Sequence, residues 1–265
     1  MLVTSVCSLK GGVGKTSVVL GLASAAFARG LPTLVVDLDP QGDATMGLDV
    51  VTTGHGDVAD VLASPRRRAI EGAIAPSGWV PEGDRVLDVM IGSARSAAHD
   101  SPAPTPKAIR QLDEALRRVE GYELVLIDCP PSINALTRTA LVASRRAAVV
   151  TEPGLFSVSA ADRALRAMDE LRRGPAPDLS PLGLIVNRVR PRSAEHDYRI
   201  AELKQMFGPL VLSPALPERS VLQQAQGAGR PIHSWAGQPA EELSADFDRL
   251  LERVLRSGRT GSRRR

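Results

Sequence analysis

Short apolar runs alternate with longer segments of helical periodicity along most of this chain. The apolar runs are rich in Val, Ile and Leu and end in polar residues, as the buried strands of a parallel sheet do. The segments between them repeat their hydrophobic positions every three to four residues, which is typical of amphipathic helices. We predict strands at residues 2–7, 32–37, 85–91, 123–128, 147–152 and 181–188, and helices at residues 17–30, 58–62, 105–120, 157–173, 223–231 and 243–255.

This alternation predicts an α/β fold with a doubly wound, largely parallel sheet and helices on both faces. A chain of 265 residues is long enough for one large domain with a substantial core, which we place at residues 1–257. Residues 258–265 contain four arginines and no hydrophobic side chain, so we expect a flexible basic tail there. Such a tail has no apolar face to insert into a bilayer, and we therefore expect no stable membrane association.

Composition excludes several classes of protein. No apolar run approaches the length that spans a bilayer, and the first predicted strand starts at residue 2, so we expect no signal peptide. The four histidines and two cysteines show no metal-ligand spacing, and Cys7 and Cys129 both fall in predicted strands. We interpret them as reduced core residues of a cytoplasmic protein. The eight aromatic residues are few, which argues against recognition of single-stranded nucleic acid by base stacking.

A glycine-rich loop at residues 8–17 follows the first predicted strand and precedes the first predicted helix. Gly11, Gly12 and Gly14 allow the backbone to curl so that its N–H groups point at an anion. The following helix start adds its positive dipole end to the same place. Lys15 can then reach the β- and γ-phosphates of a nucleotide, and the Thr16 hydroxyl can ligate Mg²⁺. The loop therefore predicts a nucleoside triphosphate site.

One detail separates this loop from the strict phosphate-loop pattern, which requires Gly where Leu9 stands. A second lysine, Lys10, lies five residues before Lys15, and these are two of the only four lysines in the chain. The segment closely resembles the deviant Walker A motif of the ParA/MinD family of ATPases. The resemblance implies a P-loop NTPase fold, ATP and Mg²⁺ as ligands, and a second lysine that crosses a dimer interface to the partner's nucleotide. The nucleotide-binding residues it implies are Gly11, Gly12, Val13, Gly14, Lys15, Thr16 and Ser17.

Acidic residues end two predicted strands that should lie beside this loop. Asp37 ends the second strand and is followed by Asp39 in the segment Asp-Leu-Asp-Pro-Gln-Gly-Asp, which resembles the second motif of the family. There the residue matching Asp39 positions the attacking water, so Lys10, Lys15 and Asp39 are the catalytic candidates. Asp128 ends an apolar strand, as a Walker B acid does. The resemblance gives Thr16 as a direct Mg²⁺ ligand and Asp128 and Asp39 as ligands through water.

Two further positions resemble the adenine contacts of the family. Asn187 ends a predicted strand, although an Asn at that place is also typical of a simple strand-ending turn. Pro217 matches a proline that packs on the base. Neither residue would be singled out without the resemblance.

Several functions are compatible with the resemblance. Neither cysteine lies where the iron–sulfur reductases of this fold bridge a cluster, and the chain end is not tyrosine-rich, as it is in the related kinases. We expect a weak, partner-stimulated ATP hydrolase that dimerises on ATP and positions a chromosome, plasmid or other cargo with a ParB-like or other stimulating partner. The alternative is an ATP-dependent protein-interaction switch in cell division, MinD-like or an orphan of the ParA type, which binds no DNA.

The resemblance also implies duplex DNA as a partner. Nonspecific duplex binding and association with the nucleoid would use arginines near the last strand, which are Arg188, Arg190, Arg192, Arg219 and Arg230. Relatives carry basic residues where this chain has Glu218 and Val221, which weakens the expectation. A separate run of three arginines at residues 66–68 is interpreted as the solvated start of a helix.

Overall fold

The strands of this protein build one sheet in the computed structural model, which describes residues 1–81 and 86–260. The described strands follow the order β3-β4-β2-β5-β1-β6-β7, and every neighbouring pair is parallel except β3 with β4. Their bounds are β1 Leu2–Cys7, β2 Thr33–Asp37, β3 Ile74–Pro76, β4 Leu87–Met90, β5 Leu124–Asp128, β6 Arg146–Thr151 and β7 Ser180–Val186. The predicted largely parallel α/β fold is thus confirmed.

Helices connect the parallel strands, because the chain must return from the carboxyl end of one strand to the amino end of the next. The α-helices are α1 Lys15–Ala28, α2 Asp43–Gly47, α3 Val58–Ala63, α4 Arg67–Ala73, α5 Gln111–Leu116, α6 Ala135–Ala143, α7 Ser157–Arg172, α8 Ala194–Phe207, α9 Ser220–Gly227 and α10 Gln238–Thr260. Short 3₁₀ turns lie at Ala94–His99, Ala108–Arg110, Gly208–Leu210 and Ile232–Ser234. In the described ranges, no helix is long and apolar enough to cross a membrane.

Alternate residues of each strand pack into two separate cores, one on each face of the sheet. In β5, Val125 and Ile127 join the core under α3 to α8, whereas Leu124 and Leu126 join the core under α1, α9 and α10. The strands are apolar on both faces because helices cover both, which is why they appear in the sequence as continuous hydrophobic runs. Helices on both faces confirm the doubly wound arrangement.

Three predicted helices differ from the structure by several residues at one or both ends. The helix predicted at 223–231 is α9, which begins earlier, at Ser220, and ends at Gly227, where the backbone N–H of Ala228 closes the last turn. The predicted helix at 105–120 is a 3₁₀ turn at Ala108–Arg110 followed by α5, which ends at Leu116. The Thr105 hydroxyl accepts from the Ala108 N–H at 3.1 Å, which closes the chain into a turn before the helix. After α5 the backbone tightens, and Arg118 N–H donates to the Ala115 carbonyl three residues back.

The predicted basic tail begins inside a helix, contrary to the boundary at residue 258. Helix α10 runs to Thr260, because its last turns pack on the sheet: the Arg146 guanidinium donates to the Ser257 carbonyl at 2.5 Å, and Gly258 lies against Leu2. The rest of that predicted tail, residues 261–265, lies outside the described residues, as does residue 85 of the strand predicted at 85–91. The predictions also omitted β3, a three-residue antiparallel edge strand that ends in a proline, and helices α2, α6 and α8.

Gly21 of α1 is in close contact with Phe247 of α10, on the face of the sheet that α1, α9 and α10 cover. Phe247 is fully buried, and its ring occupies the space that a Cβ atom on Gly21 would need. The ring cannot move away, because it is packed among Leu243, Leu250 and the core residues of α1. Glycine at this position is therefore a packing requirement.

We expect Gly21→Ala to lower the free energy of unfolding by about 1–3 kcal/mol, which is the usual cost of overpacking a core. Gly72→Ala is the matched control, because Gly72 is also helical but a Cβ there would meet nothing within 4 Å. That control should be neutral or gain up to about 1 kcal/mol from helix propensity. Urea unfolding of the two variants measures both values, and equal stability of the two would contradict the packing argument.

Candidate functional site

The glycine loop joins β1 to α1 at the carboxyl edge of the sheet. Gly12 and Gly14 have φ angles of 78° and 83°, a left-handed conformation that other residues rarely adopt. Val13 between them is buried, so the loop is anchored by a side chain while its glycines remain accessible. The loop then enters α1 at Lys15. The predicted order of strand, glycine loop and helix is confirmed.

Asn187 supports this loop from the end of β7. Its side-chain amide donates from Nδ2 to the Val13 carbonyl oxygen at 2.9 Å, and the residue is buried. A Cβ atom on Gly14 would collide with the same amide nitrogen. The structure thus brings Asn187 to the loop, where its side chain contacts the backbone.

Lys15 has no carboxylate partner in the part of the chain that the structure describes. It is only 6% exposed, and its charge lowers the pKa of Asp128, so the ammonium group lies among the site acids. Burying an ammonium group without a close ion-pair partner is costly. An anionic ligand at the loop would supply the missing counter-charge.

Asp128 and Asp37 lie in register on the adjacent strands β5 and β2. The Thr16 hydroxyl donates to Asp128 Oδ2 at 2.7 Å, and the Thr45 N–H and hydroxyl donate to Asp37 Oδ2 at 2.8 and 2.7 Å. The other oxygen of each carboxylate is buried without a hydrogen-bond partner among the described residues. Thr16 and Asp128 were predicted from their motifs, whereas no motif indicated Thr45 as the group that holds Asp37.

Burial dominates the protonation of both acids. It raises the pKa of the Asp37 carboxyl to about 6, against the effect of the Thr45 hydrogen bonds. Burial also raises the pKa of Asp128 well above its usual value; the charge of Asp37 raises it further, whereas the hydrogen bond from Thr16 lowers it. Two buried carboxylates this close favour a cation nearby. The hydroxyl and carboxylate oxygens of Thr16 and Asp128 are the hard donors that Mg²⁺ prefers.

The side chains that the structure describes do not form a complete metal site by themselves. Within residues 1–81 and 86–260, no group of three or more His, Cys, Asp or Glu side chains is placed to hold an ion. Mg²⁺ characteristically binds through one or two protein groups together with waters and substrate phosphates. The residues present therefore fit a metal that arrives with a phosphate-bearing ligand.

Asp39 lies just beyond the end of β2 and is 8% exposed. Its Oδ1 accepts from the Gln41 N–H at 3.1 Å, and its carbonyl oxygen accepts from the Gly42 N–H at 3.0 Å. These bonds form a tight turn that fixes the carboxylate beside Asp37 and Asp128, whose pKa values its charge raises. The structure thus brings Asp39 to the same strand edge as the loop.

Lys10, the second lysine of the loop, forms an ion pair with Glu152, which immediately follows β6. The two side chains are 59% and 31% exposed, so this is a surface ion pair. Glu152 was not among the predicted site residues, although its place at the end of a strand beside β1 was a signal for it. The pair keeps Lys10 beside the loop of its own chain.

The remaining predicted residues lie around the loop rather than in it. Pro217 is half-buried and pairs with Val189, two residues beyond Asn187. The Ser17 hydroxyl donates weakly to Gln226 Oε1 at 3.4 Å, and both residues line a cleft of about 720 Å³ next to Thr16. No sequence pattern indicated Gln226, because its contact with Ser17 joins residues more than two hundred positions apart.

The arginines predicted as a DNA surface are largely engaged with other groups. Arg190 pairs with Glu218 at 2.7 Å, and Arg219 pairs with Glu242 at 3.1 Å. Arg230 lies over the ring of Trp235, with 5.8 Å from its guanidinium carbon to the ring centroid. Glu218 therefore not only stands at a position where a basic residue was expected but also neutralises one of the predicted arginines.

Comparison with known proteins gives a consistent result over nearly the whole chain. A family model described as an AAA domain matches residues 1–180. The chain is 32% identical over 246 residues to the chromosome-partitioning ATPase Soj of Thermus thermophilus, covering 93% of this chain and 92% of that protein. It is 27% identical over 234 residues to the chromosome partitioning protein ParA of Caulobacter vibrioides, covering 87% and 85% of the two chains.

Solved structures share the fold at lower sequence identity. Cobyrinic acid a,c-diamide synthase from Mycobacterium smegmatis, with a bound ATP analogue and magnesium, has a TM-score of 0.79 at 23% identity and 98% and 97% coverage. An ATP complex of a Cyanothece McdA variant has 0.79 at 20% identity and 96% and 95% coverage. The cell division ATPase MinD of Pyrococcus furiosus has 0.72 at 23% identity and 96% and 98% coverage.

We expect Asn187→Ala to lower the free energy of unfolding by about 1–3 kcal/mol, because the buried Val13 carbonyl loses its donor. Amide hydrogens of residues 12–15 should exchange faster in that variant. Asn134→Ala is the control, since Asn134 accepts from Thr137 N–H at the start of α6 and does not contact the loop. Hydrogen-exchange mass spectrometry decides: equal loop exchange in both variants would show that Asn187 does not hold the loop.

Proposed function

This chain belongs to the ParA/MinD family of P-loop ATPases, and from that premise we propose a Mg²⁺-dependent ATP hydrolase that positions a chromosome, plasmid or other cargo. The observation that carries the proposal is the group formed by Lys15, Thr16 and Asp128, in which a buried ammonium and a hydroxyl-bonded carboxylate meet at one loop. The named relatives partition chromosomes, which favours the same kind of task here.

ATP would bind with its phosphates in the curl of Gly11, Gly12 and Gly14. Lys15 would neutralise the β- and γ-phosphates, and Thr16 would turn its hydroxyl from Asp128 to Mg²⁺. Asp128 and Asp39 would then accept hydrogen bonds from water molecules of the metal's shell. Bound Mg²⁺ stabilises the charge that develops on the transferred phosphoryl group.

Hydrolysis in this proposal is slow and stimulated by a partner. Asp39 is the candidate that orients the attacking water, and in this structure its Oδ1 is engaged by the Gln41 N–H. Asp43, the first residue of α2, adds another carboxylate to the cleft that contains Thr16. A ParB-like or other protein that moved this turn would free Asp39 and increase the rate.

Dimerisation on ATP is the second part of the proposal. Two nucleotide-bearing faces repel each other through their phosphates unless cations lie between them. Lys10 is more than half exposed and stands at the loop, so each subunit could offer it to the nucleotide of the other. Its partner Glu152 is itself partly exposed, so Lys10 could exchange it for the phosphates of the other subunit's nucleotide.

Nonspecific binding of duplex DNA, and with it association with the nucleoid, completes the proposal. A second candidate function is an ATP-dependent switch that binds proteins and no DNA. The pairing of Arg190 with Glu218 favours this alternative, because it removes positive charge from the surface first expected to meet DNA. Both candidates share the same nucleotide site.

We expect Asp39→Ala to bind ATP with Mg²⁺ and to hydrolyse it on the order of 10²–10⁴-fold more slowly, because the attacking water loses its orienting group. Lys15→Ala is the contrasting variant and should lose most of its ATP affinity. Calorimetry and a phosphate-release assay separate the two effects. Unchanged ATP affinity in Lys15→Ala would refute the nucleotide site, and full turnover in Asp39→Ala would move the catalytic role elsewhere.

We expect the Asp39→Ala protein to form a dimer with ATP and to remain monomeric without it. Adding Lys10→Ala should abolish that dimer while ATP binding persists, because the cation between the two phosphate groups is lost. Sedimentation velocity measures the association, and Lys204→Ala, on the exposed surface of α8, controls for loss of one lysine. A dimer that ignores both ATP and Lys10 would contradict the proposed arrangement.

A further inference from the structure

Two large apolar side chains project from the segment that connects β6 to α7. Leu155 and Phe156 are consecutive in the chain, and they are 64% and 70% exposed. Single exposed hydrophobic residues are ordinary on protein surfaces, whereas adjacent ones that continue into further apolar surface mark interaction sites. Neither side chain belongs to the nucleotide site, so their exposure needs another explanation.

A tight turn holds both side chains away from the core. The Ser157 N–H and hydroxyl donate to the Gly154 carbonyl oxygen at 2.9 and 2.6 Å, which closes a turn with Leu155 and Phe156 at its centre. Phe156 has φ and ψ angles of −98° and 6°, as the third residue of a type I turn does. Such turns favour small or polar residues, and this one carries a leucine and a phenylalanine. Because hydrogen bonds already fix the turn, a partner that docked on it would order little new structure.

A cavity of about 300 Å³ opens beside this turn. Apolar groups of the phosphate loop, of β6 and of α7 form most of its lining, together with Leu155 and Phe156 themselves. The other apolar lining residues are Leu9, Val13, Val149, Val150, Ala160 and Ala161. An apolar cavity of roughly 150 Å³ is enough to bind benzene, so this one has room for a phenylalanine ring. Each copy of the chain therefore carries both a projecting ring and a cavity that could receive one.

Charged side chains of both signs border the same cavity. Lys10 and Glu152, which pair with each other, contribute to its lining, and so does Arg163. Arg163 is exposed and forms no ion pair with any residue in the ranges that the structure describes. A surface that meets a rotated copy of itself needs both signs, because a cation of one copy must then face a carboxylate of the other.

The position of Lys10 identifies the occupant of this surface as a second copy of the chain. Lys10 lines the cavity and is also the residue proposed to reach the nucleotide of the other subunit. Two faces that meet through Lys10 would therefore bring their apolar turns together as well. In a two-fold contact, a residue that meets a site on the other copy has its own site met in return, so one arrangement of ring and cavity is satisfied twice.

We propose that the turn and its cavity form the apolar centre of the interface in the ATP dimer, with Phe156 of each copy inserted into the cavity of the other. This inference rests on the proposed dimerisation and supplies the apolar area that an ammonium group cannot provide. An aromatic side chain buries roughly 150–250 Å², and buried aromatic anchors at the centre of an interface carry much of its binding energy. Exclusion of water by these groups would also strengthen the attraction of Lys10 for phosphate.

The test is sedimentation velocity of the Asp39→Ala protein with ATP and Mg²⁺, in which the dimer should accumulate. Adding Leu155→Ala/Phe156→Ala should raise the dimer dissociation constant by at least about 30-fold, the effect of losing one central anchor. Adding Ala160→Phe instead should also weaken the dimer, because the new ring fills the cavity from its own chain. Binding of a fluorescent ATP analogue, at protein concentrations too low for dimers, should be unchanged in both variants.

Tyr198→Ala/Met206→Ala is the matched control. These side chains are 61% and 63% exposed on α8, and neither lines the cavity, so their loss should leave the dimer intact. Equal weakening by this control would show a general effect of lost apolar surface and would overturn the proposal.

The remaining outcomes separate this interface from the dimer itself. If the ATP dimer forms, depends on Lys10 and persists with Leu155→Ala/Phe156→Ala or with Ala160→Phe, insertion of the ring is refuted and dimerisation stands. Loss of co-sedimentation with phosphatidylglycerol vesicles in the Leu155→Ala/Phe156→Ala protein, with its dimer intact, would assign the turn to a lipid surface instead. If the Asp39→Ala protein forms no dimer with ATP, dimerisation and this interface are both refuted, while ATP binding is judged by its own experiment.

Discussion

The site depends on the burial of charge at one edge of the sheet. Lys15, Asp37 and Asp128 are all almost completely removed from water, and the hydrogen bonds of Thr16 and Thr45 satisfy only one oxygen of each carboxylate. Desolvation raises the pKa of both acids, so the protein's own groups stabilise these charges incompletely. A phosphate group with its metal would supply the opposite charges that each of them lacks. The folded strand ends therefore already hold the charged groups that attract such a ligand.

The topology explains why these charges meet. Strand β1 lies between β5 and β6, and β5 lies between β1 and β2, so the loop after β1 faces the acids that end β2 and β5. All four strands are parallel and present their carboxyl ends together, and ligands of open α/β sheets bind at such a place. The packing of Phe247 against Gly21 holds α1 against the same sheet and so fixes where its N-terminus points.

The sequence was sufficient wherever one local pattern determined the structure. The strands that flank the loop were predicted within a residue, because burial on both faces makes them continuous apolar runs, and the loop was predicted from glycines that must adopt left-handed backbone. The end of α5 and the extent of α10 were wrong, since a turn at Thr105 and the docking of residues 257–258 decided them. Glu152 and Gln226 were not predicted, nor was the bond of Asn187 to the Val13 carbonyl, because these contacts with the loop join residues that are distant in sequence.

The pairing of Lys10 with Glu152 bears on how ATP could control association. An exposed ion pair of this kind is typically worth only about 0.2–1 kcal/mol, so it restrains Lys10 weakly. The phosphates of a nucleotide carry several negative charges, and an interface that excludes water strengthens their attraction for an ammonium group. Lys10 would therefore leave Glu152 when a second nucleotide-bearing face approaches, but not for a face without nucleotide, which offers no comparable charge. A weak internal partner of this kind would make the exchange reversible, because hydrolysis and loss of the γ-phosphate would reduce the attraction and allow Lys10 to return to Glu152.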